Sequence, residues 1–308
     1  MSASNKSIFV CPACHGMLKT RESALCCASC GAQYPVREGI PVFTEDGDVR
    51  DLEEMQHLVE RLEAMDETAF PDPAARFRLP NRPFSLARHR TEKRAFDKFF
   101  RKYTDLDSLR ILDISCGVGR EAQMLLAAGA TDITLLDISF PAVAYTRKTF
   151  PLYYPDRRLL YCVSDAAQLP FPDNAFDLVL VYASAHHYPD FRRFLSEVTR
   201  VSARLCLISE PARIVPLEGM MRYTGWNTEY GGLDTHRFHE RRLRNQLKGA
   251  GMRYEIQRRF QYFPKMFDPL GDVRPFVVVW FGFLRFMELV CGRWLGHSLN
   301  VFAERNKG

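Results

Sequence analysis

The chain has 308 residues, 46% of them apolar and 26% charged, which is ordinary globular composition and enough for one large domain plus a small one. A formal charge of +5 does not announce a nucleic-acid partner, the polar start MSASNKSIFV has no signal-peptide core, and no apolar run reaches the roughly 18 residues that span a bilayer. Nine cysteines without an export signal fit reduced thiols and a metal site better than a disulfide framework, so the chain reads as cytoplasmic.

Residues 8–44 are dense in Cys, Gly and Pro and too short for a conventional core. Cys11-Pro-Ala-Cys14 and Cys27-Ala-Ser-Cys30 are two CxxC pairs with twelve residues between them. Each such turn aims two thiolates at one point, and four thiolates suit tetrahedral Zn2+. Cys26 rivals Cys27, but only Cys27 completes a CxxC. With the following Tyr34-Pro35-Val36-Arg37-Glu38-Gly39-Ile40-Pro41-Val42-Phe43, the segment resembles the zinc-ribbon family typified by the small activator subunit of RNA and protein methyltransferases. That resemblance implies a folding or docking module over residues 1–46 and a structural metal.

Residues 48–66 space Leu52, Met55, Val59, Leu62 and Met65 as one face of a helix. Four prolines then break the pattern, so 47–84 reads as a helical linker or lid. A second amphipathic segment, about 85–103, sets Phe96, Phe99 and Phe100 against a basic face and opens a large domain, 85–308. From 109 onward short apolar runs at 110–114, 133–138, 159–163, 176–182 and 205–209 alternate with helical segments at 119–129, 140–149 and 190–203. That rhythm predicts an α/β fold, a doubly wound, Rossmann-like, mostly parallel sheet that binds ligands at the carboxyl ends of its strands. A helix at about 238–250 and strands at 252–262 and 299–304 complete the chain.

Leu112-Asp113-Ile114-Ser115-Cys116-Gly117-Val118-Gly119 runs from a strand into a helix, where glycines permit a tight turn and close approach of a ligand. Asp137, at the end of the next strand, can accept hydrogen bonds from ribose hydroxyls, so NAD and S-adenosylmethionine both suit these residues. Two features favour the second. Asp113 stands where a pyrophosphate would lie, and a carboxylate repels phosphate but complements the ammonium of a methionine moiety. Asp165, after the third strand, can accept from an adenine amino group while a neighbouring backbone N–H, that of Ala166, meets the ring nitrogen.

Taken with the stretch Asp165-Ala166-Ala167-Gln168-Leu169-Pro170-Phe171-Pro172-Asp173-Asn174-Ala175-Phe176-Asp177-Leu178-Val179 and the turn His186-His187-Tyr188-Pro189-Asp190, residues 109–210 resemble class I S-adenosylmethionine-dependent methyltransferases of the small-molecule type. The resemblance implies a last strand inserted antiparallel, and a cofactor site drawn from Asp113, Ser115, Gly117, Gly119, Asp137, Ile138, Asp165, Ala166 and Tyr182. Ser115 departs from the glycine usual in that family.

His186, His187 and Glu210 are the candidate catalytic groups, since a histidine or a carboxylate at a strand end can take a proton from an acceptor. Structural roles for the same residues remain open. Residues 211–240 carry Tyr223, Trp226, Glu229, Tyr230, His236 and Arg237, which suit an acceptor site or a packed cap. An insertion at about 264–298 is apolar nearly all round over 275–295 and must be covered by something: its own domain, a hydrophobic acceptor, a membrane interface or another copy. The expected partner is therefore a small, possibly lipid-like acceptor. RNA methylation through the ribbon and the basic 88–102 segment, and cofactor binding without turnover, are the alternatives.

Overall fold

The computed structural model describes residues 8–44, 49–65, 105–188, 190–211, 240–259, 270–295 and 298–306, with the helical positions Pro83, Ala87, Arg90, Phe96 and Phe99. The chain forms two compact units. One comprises Met1–Met65, Asp107–Leu180 and Asp190–Cys206; the other comprises Asp66–Leu106, Val181–Pro189 and Leu207–Gly308.

The first unit opens with four short antiparallel strands, β1 (Leu18–Arg21), β2 (Ala24–Cys27), β3 (Gln33–Arg37) and β4 (Ile40–Pro41), in the order β1-β2-β3-β4. Glu38 and Gly39 both take positive φ (50° and 75°), the geometry of a two-residue hairpin turn, and so set β4 against β3. Helix α1 (Val49–Glu63) follows and buries Val59 and Leu62, as their helical spacing requires.

The α/β part alternates as the hydrophobic pattern predicts: β5 (Arg110–Ile114), α2 (Arg120–Ala127), β6 (Asp132–Asp137), α3 (Phe140–Tyr153), β7 (Arg158–Val163), β8 (Phe176–Tyr182), α4 (Phe191–Val201) and β9 (Ser202–Pro211). Helix α3 begins at a Ser139 cap, whose Oγ accepts from the N–H of Ala142, with Pro141 in its first turn. Helix α4 is capped by Asp190 and passes into β9 with no intervening loop. Strand β6 pairs in parallel with β5 and with β7. The second unit adds α5 (Glu240–Gly249), β10 (Met252–Arg259), α6 (Arg274–Leu295) and β11 (Ser298–Arg305).

The large sheet has seven strands in the order β10-β11-β9-β8-β5-β6-β7. From β5 the chain winds one way through β6 and β7, then returns to β8 on the other side of β5. The switch point, where such sheets open a crevice at their carboxyl ends, therefore lies at β5. Strands β10 and β11 pair antiparallel over eight residues each, from Met252↔Arg305 to Arg259↔Ser298, which is the expected final pair. The expected insertion between them contains the 22-residue helix α6. The helix expected at 85–103 lies outside the described residues except for single helical positions, of which Phe96 and Phe99 are buried.

Candidate functional site

In the ribbon, the sulfurs of Cys11, Cys14, Cys27 and Cys30 all lie within 4.8 Å of one another. Cys11 and Cys30 are 3.6 Å apart and Cys14 and Cys27 are 3.5 Å apart. A tetrahedron with Zn–S bonds of about 2.3 Å has edges of about 3.8 Å, so the donors and their spacing fit Zn2+. Cys27 is the member of the tetrad, as its CxxC spacing required, and Cys26 is not. The backbone N–H groups of Cys30 and Ser29, each 3.4 Å from its Sγ, draw the Cys27 thiol down to about 6, toward the thiolate a metal needs. Gly16 is crowded into this knuckle, where an added Cβ would stand 2.5 Å from Ser29 Oγ.

The turn after β5 is built from left-handed residues. Ser115 (φ 56°), Gly117 (φ 51°) and Gly119 (φ 87°) let the backbone reverse before α2 starts. The positive φ of Ser115 gives the physical reason why glycine is favoured at that position, because a side chain there costs about 1–2 kcal/mol. At Gly119 an added Cβ would stand 2.5 Å from Cζ of the fully buried Phe150. Gly119→Ala is expected to lower stability by about 2–4 kcal/mol, combining overpacking with a disfavoured φ, and thermal unfolding will show it as a lower Tm.

Two buried acids serve this turn. Asp137 binds both arms of the crevice: one carboxylate oxygen accepts from Gly117 N–H at 2.8 Å and the other from Ser139 N–H at 2.9 Å. Asp113 is buried, and its Oδ2 has no hydrogen-bond partner among the described residues. Burial, with the negative charges of Glu121 and Asp137, pushes its pKa well above the usual carboxylate range. An orphaned buried carboxylate oxygen beside a glycine turn suits a cationic ligand group and repels a phosphate. The donor set therefore fits the methionine and ribose parts of S-adenosylmethionine.

After β7, Asp165 Oδ1 accepts from Ala167 N–H at 2.8 Å and closes a turn in which Ala166 is fully buried. The rest of this stretch is clamped by Arg200, which reaches the carbonyls of Phe171 and Leu169 and the carboxylates of Glu197 and Asp173. Ile138 and the start of α3 line a cavity of about 580 Å³ whose walls also include Arg37, Val42 and Thr44 of the ribbon and Leu52, Gln56 and His57 of α1. That volume is in the range of small-molecule sites. A Cβ added at Gly117 would stand 3.5 Å from Cε of Met55 on α1. Helix α1 thus supplies residues to the crevice. Its amphipathic spacing was visible in the sequence, its place over the glycine turn was not.

The second unit holds the candidate catalytic residues. Glu210 is buried at the end of β9; its Oε1 accepts from the N–H groups of Ser184 and Ala185, and its Oε2 lies 2.7 Å from His186 Nδ1. His186 is buried too, whereas His187 is partly exposed, with their ring centroids 4.2 Å apart. Ala183, just before them, takes φ 48°, a strained conformation at a strand end. Tyr182 is also in this unit, and its ring faces Phe96 at 6.2 Å. Helix α6 buries Val277 and Leu284 but exposes Val278, Val279, Phe283, Phe286, Leu289 and Val290. Among the described residues no helix is long and apolar enough to cross a membrane. Tyr223, Trp226, Glu229, Tyr230, His236 and Arg237 lie outside the described residues, as does most of the basic 88–102 segment.

Residues 112–204 match the family model of a methyltransferase domain. The chain is 35% identical over 123 residues to the phthiotriol/phenolphthiotriol dimycocerosates methyltransferase of Mycobacterium tuberculosis, covering 40% of this chain and 41% of that one. It is 36% identical over 98 residues to the fatty-acid O-methyltransferase of Mycolicibacterium smegmatis, covering 32% of this chain and 34% of that one. The match thus spans between about a third and two fifths of the length of these curated relatives. Among solved structures, magnesium protoporphyrin IX methyltransferase from Synechocystis, with S-adenosylhomocysteine bound, aligns with a TM-score of 0.55 at 17% identity, over 84% of this chain and 98% of that one. That likeness is one of fold. The seven-stranded sheet has the Rossmann-like methyltransferase fold, and the segment that carries the glycine turn, Asp137 and Asp165 matches the family model of a methyltransferase domain.

Proposed function

We propose that the protein is an S-adenosylmethionine-dependent methyltransferase acting on a small, lipid-like acceptor by O- or N-methylation. The observation that carries the cofactor assignment is the unpartnered buried oxygen of Asp113 beneath the left-handed turn at Gly117 and Gly119. Asp113 holds the ammonium of the cofactor, Asp137 its ribose, and Asp165 with the N–H of Ala166 its adenine, while Ser115 and Ile138 complete the set. When bound, S-adenosylmethionine supplies a methyl group on a sulfonium, ready for in-line displacement by an acceptor nucleophile.

Glu210 spends both oxygens on the loop after β8, so Glu210 and His186 are read as positioning that loop. His187, with its partial exposure, is retained as the candidate general base. The lipid-like acceptor is supported by the names of the relatives and by the apolar outer face of α6, a face suited to a membrane interface or to a hydrophobic substrate. The ribbon, despite its resemblance to an activator subunit, is read as a resident structural module with Zn2+ on Cys11, Cys14, Cys27 and Cys30.

Calorimetric titration with S-adenosylmethionine, S-adenosylhomocysteine and NAD, followed by labelled methyl transfer to fatty acids and phenolic lipids in vesicles, tests this reading. Micromolar binding of the first two, none of NAD, and a labelled lipid product are expected. Replacing Phe286 and Leu289 together by Asp is expected to lower vesicle binding and turnover of vesicle-borne acceptor at least about fivefold while S-adenosylhomocysteine affinity stays constant. Tight NAD binding, or a labelled product from RNA alone, would overturn it.

A further inference from the structure

The zinc knuckle and the proposed adenine turn, far apart in sequence, are joined directly. Gln168 ends that turn, and its side-chain amide donates to the carbonyl of Pro12 at 2.9 Å. Pro12 lies inside the first CxxC, between Cys11 and Cys14. The turn is held again at both flanks. On one side Phe43 N–H donates to Val163 O at 2.8 Å; on the other Val10 N–H donates to Pro170 O at 2.9 Å. Phe9 packs on Phe171 at 5.6 Å between centroids, and Ile40 and Val42 share a buried cluster with Val143 and Val163. The residues between Val163 and Pro170 therefore hang between two backbone anchors and one side-chain anchor, all from the ribbon. All three anchors depend on ribbon geometry, and a ribbon of this size depends on its metal for shape.

We infer that the metal-loaded knuckle is a positioning element for cofactor binding: through Pro12 and Gln168 it fixes the turn on which Asp165 and Ala166 meet adenine. The inference rests on the cofactor reading above. Loss of the metal frees the Pro12 carbonyl, the 164–170 turn relaxes, and adenine recognition weakens. Gln168 is a positioning residue in this scheme.

The test is calorimetric and needs no turnover. S-adenosylhomocysteine and its 6-oxo analogue, S-inosylhomocysteine, are titrated into zinc-loaded protein, chelator-stripped protein and Gln168→Ala, with zinc content measured for each. Loss of one partly buried hydrogen bond predicts about three- to tenfold weaker S-adenosylhomocysteine binding in Gln168→Ala at full zinc content. Preference over the 6-oxo analogue should fall by a similar factor, because adenine recognition is what relaxes; a general loss of fold would weaken both ligands alike. Stripped protein should lose about tenfold or more. Unchanged affinity after complete zinc removal, or unchanged discrimination in zinc-loaded Gln168→Ala, would overturn the coupling. Wild-type protein that binds no S-adenosylhomocysteine would instead remove the cofactor assignment beneath it.

Discussion

Asp113→Asn is expected to melt at a higher temperature than the wild type and to bind S-adenosylhomocysteine about 10- to 100-fold more weakly. The wild-type carboxyl is buried with one oxygen unpartnered and sits near Glu121 and Asp137, so its charge is unfavourable in the unliganded protein. Removing that charge is expected to add about 1–3 kcal/mol of stability, a Tm rise of a few degrees for a chain of this size. The charge is what the ligand ammonium needs, and a charge-assisted hydrogen bond is worth about 1.5–3 kcal/mol. The sign of the pH effect follows. Because the native pKa is raised, the folded state binds more protons than the unfolded state above the ordinary carboxylate range, and stability falls as pH rises from there through the raised value. Ligand affinity moves the other way, rising with pH as Asp113 ionises, and binding below the raised value releases a proton. Calorimetry in buffers of different ionisation enthalpy counts that proton, and Asp113→Asn should abolish it. A mutant that binds as tightly as wild type would remove the ammonium role.

Asp137→Ala should lose a comparable share of affinity, about 100-fold or 2.7 kcal/mol, with the opposite effect on stability. Its two oxygens tie the Gly117 turn to the N–H of Ser139, the capping residue of α3. Without them two backbone donors lose their partners at once, which costs about 1–3 kcal/mol each if they stay buried. Thermal melts and calorimetry on the two variants form a paired test: both lose ligand, one gains Tm and the other loses it. Asp137→Asn, which keeps one acceptor oxygen, should fall between Asp137→Ala and wild type. Equal Tm shifts in the same direction would show that one of the two acids has been misread.

The contrast between these acids also shows what was legible in the sequence. Both stand at or next to strand ends, and the strands were readable from apolar runs: 110–114 matches β5 residue for residue and 133–138 matches β6 to within one residue at each end. The four clustered cysteines were readable because CxxC spacing is local. Local pattern carries no record of which loop lies against which. The contact of Gln168 with Pro12 joins residues 156 positions apart, and the sequence shows only an ordinary glutamine in a polar turn. Met55 was placed on a helix face, but nothing in helical spacing said that the face covers Gly117. The strain at Ser115 and Ala183 is likewise invisible to composition, since neither residue type announces a positive φ.

The seven-stranded sheet has β7 at one margin, and the ribbon already lies along the end of that strand through the parallel bridge Val42↔Val163. A bare sheet margin offers unpaired N–H and C=O groups to any neighbouring chain. During synthesis the N-terminal ribbon emerges before β7 and can fold while the sheet is still being made. When Val163 leaves the ribosome, its hydrogen-bond partner Phe43 has long since been made. The order of the chain thus gives the nascent protein a guard for its own exposed margin at the moment that margin first exists.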